Sequence, residues 1–263
     1  MNLHGAHVLL TGATGGIGAA IARELGARGA NLILTGRRAE VLAELAATVG
    51  GRTIAADLAE PDAAQHLLDQ AGRVDIVVAN AALPATGAVP DLSIADIDTM
   101  LDVNLRAPIV LARLAAEQMI SRKQGHLVFI SSLLGKTASP DAALYNATKF
   151  GLRGFGLALR ADLRPYGVGV TTIFPGFIRD AGMFAKTGIT LPRGIGTRAP
   201  EDVAGAVARA VEHNPAEIDV APLPLRIGTM IANIAPSFAA NVQRRTGNDK
   251  LSAEMAVSQR TIR

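Results

Sequence analysis

Apolar residues in this chain fall in short unbroken runs separated by longer stretches of helical periodicity. Val8-Leu9-Leu10, Leu32-Ile33-Leu34, Thr53-Ile54-Ala55, Ile76-Val77-Val78, Leu127 to Ile130, Val168 to Ile173 and Ile218 to Val220 read as strands. Runs that lack polar alternation belong to strands covered on both faces, and strands joined through helices run parallel. The pattern predicts an α/β fold: a doubly wound sheet of about seven mainly parallel strands with helices on both faces. Ligands of such sheets bind beyond the carboxyl ends of the strands, which directs attention to Asp57, Asn80, Ser132 and Pro175-Gly176.

The first strand runs into Thr11-Gly12-Ala13-Thr14-Gly15-Gly16-Ile17-Gly18 and then a helical pattern through Arg28. Glycines let the backbone turn tightly and approach a phosphate, while the free N–H groups and dipole of a helix start attract negative charge. A dinucleotide pyrophosphate suits that turn; a ligand-free glycine turn is the plain alternative. The second strand ends in Thr35-Gly36-Arg37-Arg38, where an acid would hold a ribose 2′-hydroxyl and an arginine accommodates a 2′-phosphate. Two arginines favour NADP(H) over NAD(H), against the reading of a solvated pair.

Tyr145 and Lys149 lie four apart in a segment predicted as helix from Leu144 to Leu163, so they share one face. A neighbouring ammonium favours phenolate and should pull the tyrosine pKa down from about 10 towards neutrality, where a general acid or base works. Ser132 follows the strand ending at Ile130, and its hydroxyl can bond an oxygen whose charge changes during reaction. Alone, a Tyr-x-x-x-Lys pair is a packed ring beside a solvated ammonium; the glycine turn supplies the independent motif that calls for chemistry here.

Composition narrows the options. With 263 residues, 49% of them hydrophobic, and no linker-like stretch, repeat or low-complexity segment, the chain suits a single domain over 1–263. A net charge of +3 and 3% aromatic residues give no nucleic-acid footprint. The absence of cysteine excludes disulfides and thiolate chemistry, and the five histidines show no metal-ligand spacing. No segment reaches membrane-spanning length and the N-terminus leaves no room for a signal peptide, so a cytoplasmic location is expected.

Taken in order, Thr11-Gly12-x-x-x-Gly16-x-Gly18, Asp57-Leu58, Asn80-Ala81-Ala82, Asn104, Ser132, Tyr145-x-x-x-Lys149 and Pro175-Gly176 resemble the short-chain dehydrogenase/reductase family over residues 6 to 221. The resemblance implies a Rossmann-type fold and an oxidoreductase that interconverts a carbonyl and an alcohol by hydride transfer. It assigns Tyr145 as general acid/base, Ser132 to the substrate oxygen, Lys149 to the nicotinamide ribose and Tyr145 pKa, and Asn104 to a water in a proton relay. Asp57 and Leu58 would touch the adenine, Asn80 would support the sheet, and Ala81, Ala82, Pro175, Gly176 and Ile178 would flank the cofactor. Asp57 as a helix cap and Asn80 and Asn104 as packing amides are the plain alternatives. Family members also pair through the two long helices, here about Pro108 to Arg122 and Tyr145 to Leu163, so a homodimer or homotetramer is expected.

Two positions depart from the family. Ala82 stands where glycine is common, and Asp180 stands where a threonine contacts the nicotinamide amide; a carboxylate there favours NADP+ unless Arg179 neutralises it. Residues 177–199, including Pro192, read as a variable substrate loop. After residue 221, Ile227, Met230, Ile231, Ile234 and Phe238 fall on one helical stripe before Arg244-Arg245, with Pro236 breaking the pattern. Packing on the protein's own core ranks first for this stripe, lining an apolar substrate pocket second, and a membrane surface third. A cofactor-binding regulatory protein with little turnover is the competing functional class.

Overall fold

Neighbouring residues of each central strand face opposite helical layers, which is why no polar alternation marks them. In β1 (His7–Thr11), Val8 and Leu10 belong to one apolar cluster and Leu9 to the other. In a computed structural model describing residues 1–84, 87–185, 187–189, 191 and 196–237, the remaining strands are β2 (Asn31–Gly36), β3 (Arg52–Ala55), β4 (Ile76–Ala79), β5 (Gly125–Ile130), β6 (Val168–Pro175) and β7 (Glu217–Val220). All pair in parallel in the order β3-β2-β1-β4-β5-β6-β7, so every strand read from the sequence is present. Strand order reverses between β1 and β4, and the crevice of a doubly wound sheet opens at that point.

The helices are α1 (Gly16–Ala27), α2 (Ala39–Val49), α3 (Ala63–Ala71), α4 (Ile94–Leu101), α5 (Ala107–Arg122), α6 (Ala143–Leu163), α7 (Gly182–Ala185), α8 (Pro200–His213) and α9 (Leu223–Ile234). Residues of α1, α2 and α8 build the cluster on one face of the sheet, and those of α3, α5 and α6 build the other. Each face is dominated by Ala, Val, Leu and Ile, whose small or branched side chains let helices lie close on the twisted strands. The two long helices begin within two residues of their predicted starts.

The ranking of the C-terminal stripe needs correction. Ile227, Met230, Ile231 and Ile234 are exposed, while Leu225 and Thr229 turn inward: Leu225 packs on Leu133, Phe174 and Ala221, and Thr229 is buried. Lys136, Arg153, Glu217 and Asp219 form the charged floor of a cavity that α9 borders with Leu223, Ile227, Thr229, Met230 and Asn233, so Ile227 and Met230 line a pocket, the use ranked second, and do not pack in the core ranked first. The helix ends at Ile234, before Pro236, as proline requires; Phe238, Arg244 and Arg245 lie outside the described residues.

Candidate active site

The glycine turn is locked to the end of β4. Thr11 Oγ1 accepts from the backbone N–H groups of Asn80 and Ala81, each at 3.0 Å, and Asn80 Nδ2 donates to the carbonyls of Thr11 (3.0 Å) and Gly12 (3.1 Å). Gly12 sits at φ +66°, and a Cβ there would lie 2.8 Å from Ala81 Cα, so any side chain would pry the two strand ends apart. A Cβ on Gly18 would strike the Gly12 carbonyl, which fixes how closely α1 follows the turn. Gly15 is the N-cap of α1 and supplies no side chain to satisfy the first amides, leaving them for an anion. Ala181 lies over Gly16 and Gly182 over Ile17, so the segment after β6 reaches back across the turn.

At the end of β2, Arg38 caps α2 and donates to the Thr14 carbonyl at 2.7 Å, while the Arg37 guanidinium lies 4.0 Å from the Asp57 carboxylate. Both arginines are exposed, and Asp57 also accepts from Ala59 N–H at 3.1 Å in a local turn, while the N-cap of α3 is Asp62, so Asp57 is not the helix cap of the plain alternative. Leu58 is buried. Positive charge thus gathers beside the glycine turn, where a 2′-phosphate would sit.

The third group lies beyond β5. Ser132 caps a short 3₁₀ turn, its Oγ accepting from Leu134 N–H at 3.2 Å, and it is the side chain whose interaction with the Tyr145 phenol favours phenolate. Lys149, one turn further along α6, is buried; its Nζ donates to the Ile130 carbonyl at 3.1 Å and stands 5.5 Å from the Tyr145 ring centroid. Its Nζ and the Ser131 hydroxyl, which donates to the Lys149 carbonyl at 3.1 Å, tie α6 to the end of β5. The expected fall in the Tyr145 pKa is not what the structure has: burial pushes the phenol up to about 12, and the Ser132 hydrogen bond only partly offsets this. The side chain is half-buried, and desolvation of phenolate outweighs an ammonium that is itself spent on the Ile130 carbonyl. Burial likewise pushes Lys149 down to about 8. At neutral pH the pair is a phenol beside an ammonium, an arrangement suited to giving a proton.

These three groups lie along one edge of the sheet, on both sides of the strand-order reversal, as in enzymes that bring a nucleotide to a reacting carbonyl. The model of the short chain dehydrogenase family matches residues 6–190. The chain belongs to the short-chain dehydrogenase/reductase family. It is 31% identical over 259 residues to ketoacyl reductase HetN of Nostoc sp., covering 93% of this chain and 90% of that one. To the 3-oxoacyl-(acyl-carrier-protein) reductase FabG of Rickettsia conorii it is 35% identical over 216 residues, 79% of this chain and 90% of that one. A metagenomic short-chain oxidoreductase solved in complex with NADP superposes with a TM-score of 0.71 at 34% identity, covering 84% of this chain and 99% of that one.

In this short-chain dehydrogenase/reductase the remaining candidate residues are scattered around that edge. Asn104 is buried in a π-helical turn (Asp102–Arg106) and spends its amide on Leu83, accepting from its N–H at 2.7 Å and donating to its carbonyl at 2.9 Å. That bracing of the segment after β4 is the packing alternative; the π turn supplies the extra residue that aims the side chain there. Gly176 N–H bonds the Val220 carbonyl, Pro175 ends β6, and buried Ile178 bridges to Arg198, closing the neck of the 177–199 loop. Arg179 Nε lies 3.4 Å from the Asp180 carboxylate, which supplies the neutralising partner that its position called for. Ala82 is partly buried, and Pro192 lies outside the described residues.

Sequence reasoning missed Asn146 and Lys136. Asn146 donates from Nδ2 to the carbonyls of Leu134 (2.6 Å) and Thr137 (2.8 Å), holding the Ser132 turn from the helix side. Lys136 Nζ holds it from the strand side, 2.6 Å from Asp219 and 2.8 Å from Glu217. The available signal was Glu217 and Asp219 themselves: two carboxylates two apart on a strand share a face and call for a cation. Among the described residues no group of three or more possible ligands could hold a metal, and no helix is long and apolar enough to cross a membrane.

Proposed function

We propose that this short-chain dehydrogenase/reductase uses NADP(H) to interconvert a carbonyl and an alcohol, with Tyr145 as the proton donor and acceptor. The observation that carries the reading is the Ser132 and Tyr145 pair, with the Lys149 ammonium behind it, two strands over from the glycine turn. NADPH, when bound, supplies hydride from C4 of its nicotinamide. The uncapped start of α1 and the tight Gly12 turn fit its pyrophosphate, and Arg37 and Arg38 fit its 2′-phosphate. Ser132 donates a hydrogen bond to the substrate oxygen, Tyr145 transfers its phenolic proton to that oxygen as it becomes an alcohol, and Lys149 stabilises the phenolate left behind.

The names of the relatives put 3-ketoacyl thioesters first among carbonyl substrates. The test is oxidation of NADPH with a carbonyl panel, repeated with Tyr145→Phe. Turnover should fall by about 10² or more in the variant while NADPH affinity holds, as for loss of a positioned acid. Equal turnover in the two proteins would refute the assignment.

A further inference from the structure

The Ser132 turn is gripped from two directions by different chemistry. Asn146, beside Tyr145 on α6, holds the Leu134 and Thr137 carbonyls through neutral amide bonds. Lys136 closes the 3₁₀ turn, its N–H bonded to the Leu133 carbonyl at 2.9 Å, and its side chain runs to β7. There its ammonium lies between Asp219 and Glu217 and 4.0 Å from the centroid of the buried Phe174 ring. Its side chain is 9% exposed. Arg153 completes the cluster, its Nε 2.7 Å from Glu217, so two cations face two carboxylates. Arg153 also follows Lys149 at the interval by which Lys149 follows Tyr145, placing all three along one stripe of α6.

We propose that Lys136 is a positioning residue, which fastens the Ser132 turn to β7 and thereby holds the Ser132 hydroxyl on Tyr145; this rests on the reading of Ser132 as the group that binds the substrate oxygen. An ammonium 9% exposed between two half-buried carboxylates leaves its pairs only at a cost, and this tethers the backbone of Lys136 to β7. Three residues separate it from Ser132, and the turn's own hydrogen bonds, from Gly135 N–H to the Ser132 carbonyl at 2.8 Å and from Leu134 N–H to Ser132 Oγ, transmit that position to the hydroxyl. Exposed salt bridges hold little, but this cluster is screened by Phe174 and by α9, whose Asn233 accepts from Arg153.

The experiment measures kcat, KM for NADPH and the pH profile for Lys136→Met, Lys136→Arg, Ser132→Ala and the double variant Ser132→Ala/Lys136→Met. Lys136→Met should lower kcat about tenfold, as sub-ångström to ångström misplacement does, with KM for NADPH within about twofold. Its alkaline limb should stay where Lys149 titrates, near pH 8, as in Ser132→Ala, so that the loss is one of rate and not of protonation. Lys136→Arg should restore most of the rate. On the Ser132→Ala background, adding Lys136→Met should cost less than about twofold, since a residue acting through Ser132 has nothing left to position. Should Lys136→Met fail to fold, Lys136→Met/Asp219→Asn removes the carboxylate left without its ammonium, keeps the Arg153–Glu217 pair at 2.7 Å, and must give the same loss. Fully additive losses, or wild-type kcat in a folded variant lacking Lys136, would overturn the proposal. Unchanged activity in Ser132→Ala would instead remove the functional reading on which it rests.

Discussion

Lys149→Met should change the pH dependence of stability in a direction fixed by burial. Lys149 is 2% exposed, and burial lowers its pKa from 10.5 to about 8. The folded state therefore releases this proton before the unfolded state does. Below pH 8 both states are charged and the fold bears the full desolvation cost; between pH 8 and 10.5 the unfolded chain binds more protons, so wild-type stability rises with pH. The two pKa values differ by enough to correspond to about 3 kcal/mol of cost at pH 7. Methionine fills a similar volume without charge. Losing the bond to the Ile130 carbonyl costs about 1–2 kcal/mol, so at pH 7 the variant should be more stable by about 1 kcal/mol. Between pH 7 and 9.5 the wild type should gain on it by about 2 kcal/mol. Tyr145, at about 12, does not titrate in the fold over that window. Urea denaturation of both proteins at the two pH values, without nucleotide, makes the comparison. Parallel pH dependence, or a wild type that loses ground, would refute the claim that Lys149 bears a large desolvation cost.

Arg37 and Arg38 should make NADPH bind about ten- to a hundredfold more tightly than NADH, from charge-assisted bonds to the 2′-phosphate; isothermal titration giving equal affinities, or a preference that survives replacing both by alanine, would contradict this. Much of the alanine in α5 is buried against its own sheet, but Phe150 and Leu157 on α6 are exposed, and a dimer or tetramer is expected. Light scattering that finds monomers at micromolar concentration would count against it. Ile234→Asp should change stability by no more than about 0.5 kcal/mol, because the side chain is 80% exposed; a loss above about 2 kcal/mol in urea would show that it packs.

Local pattern determined the seven strands, the glycine turn, the Tyr145 and Lys149 pair and the order in which these meet along the chain. Each depends on residues a few positions apart: an apolar run that can be buried on both faces, glycines where the Gly12 backbone must take positive φ, and a four-residue step along α6. Sign and partnership were decided elsewhere. Whether Tyr145 is pushed up or down depends on how far its hydroxyl is desolvated against how near the ammonium comes, and spacing gives only the second. Which residues of α9 turn inward depends on what lies beneath them: Leu225 meets Leu133, Phe174 and Ala221, while Ile227 and Met230 border a cavity with a charged floor built from β7, α6 and the Ser132 turn. Lys136 and Asp219 are 83 positions apart, and only the placing of β7 beside β6 brings their charges to 2.6 Å in a shielded site. Burial and long-range pairing are properties of the packed chain, since both follow from which surfaces the sheet order places in contact.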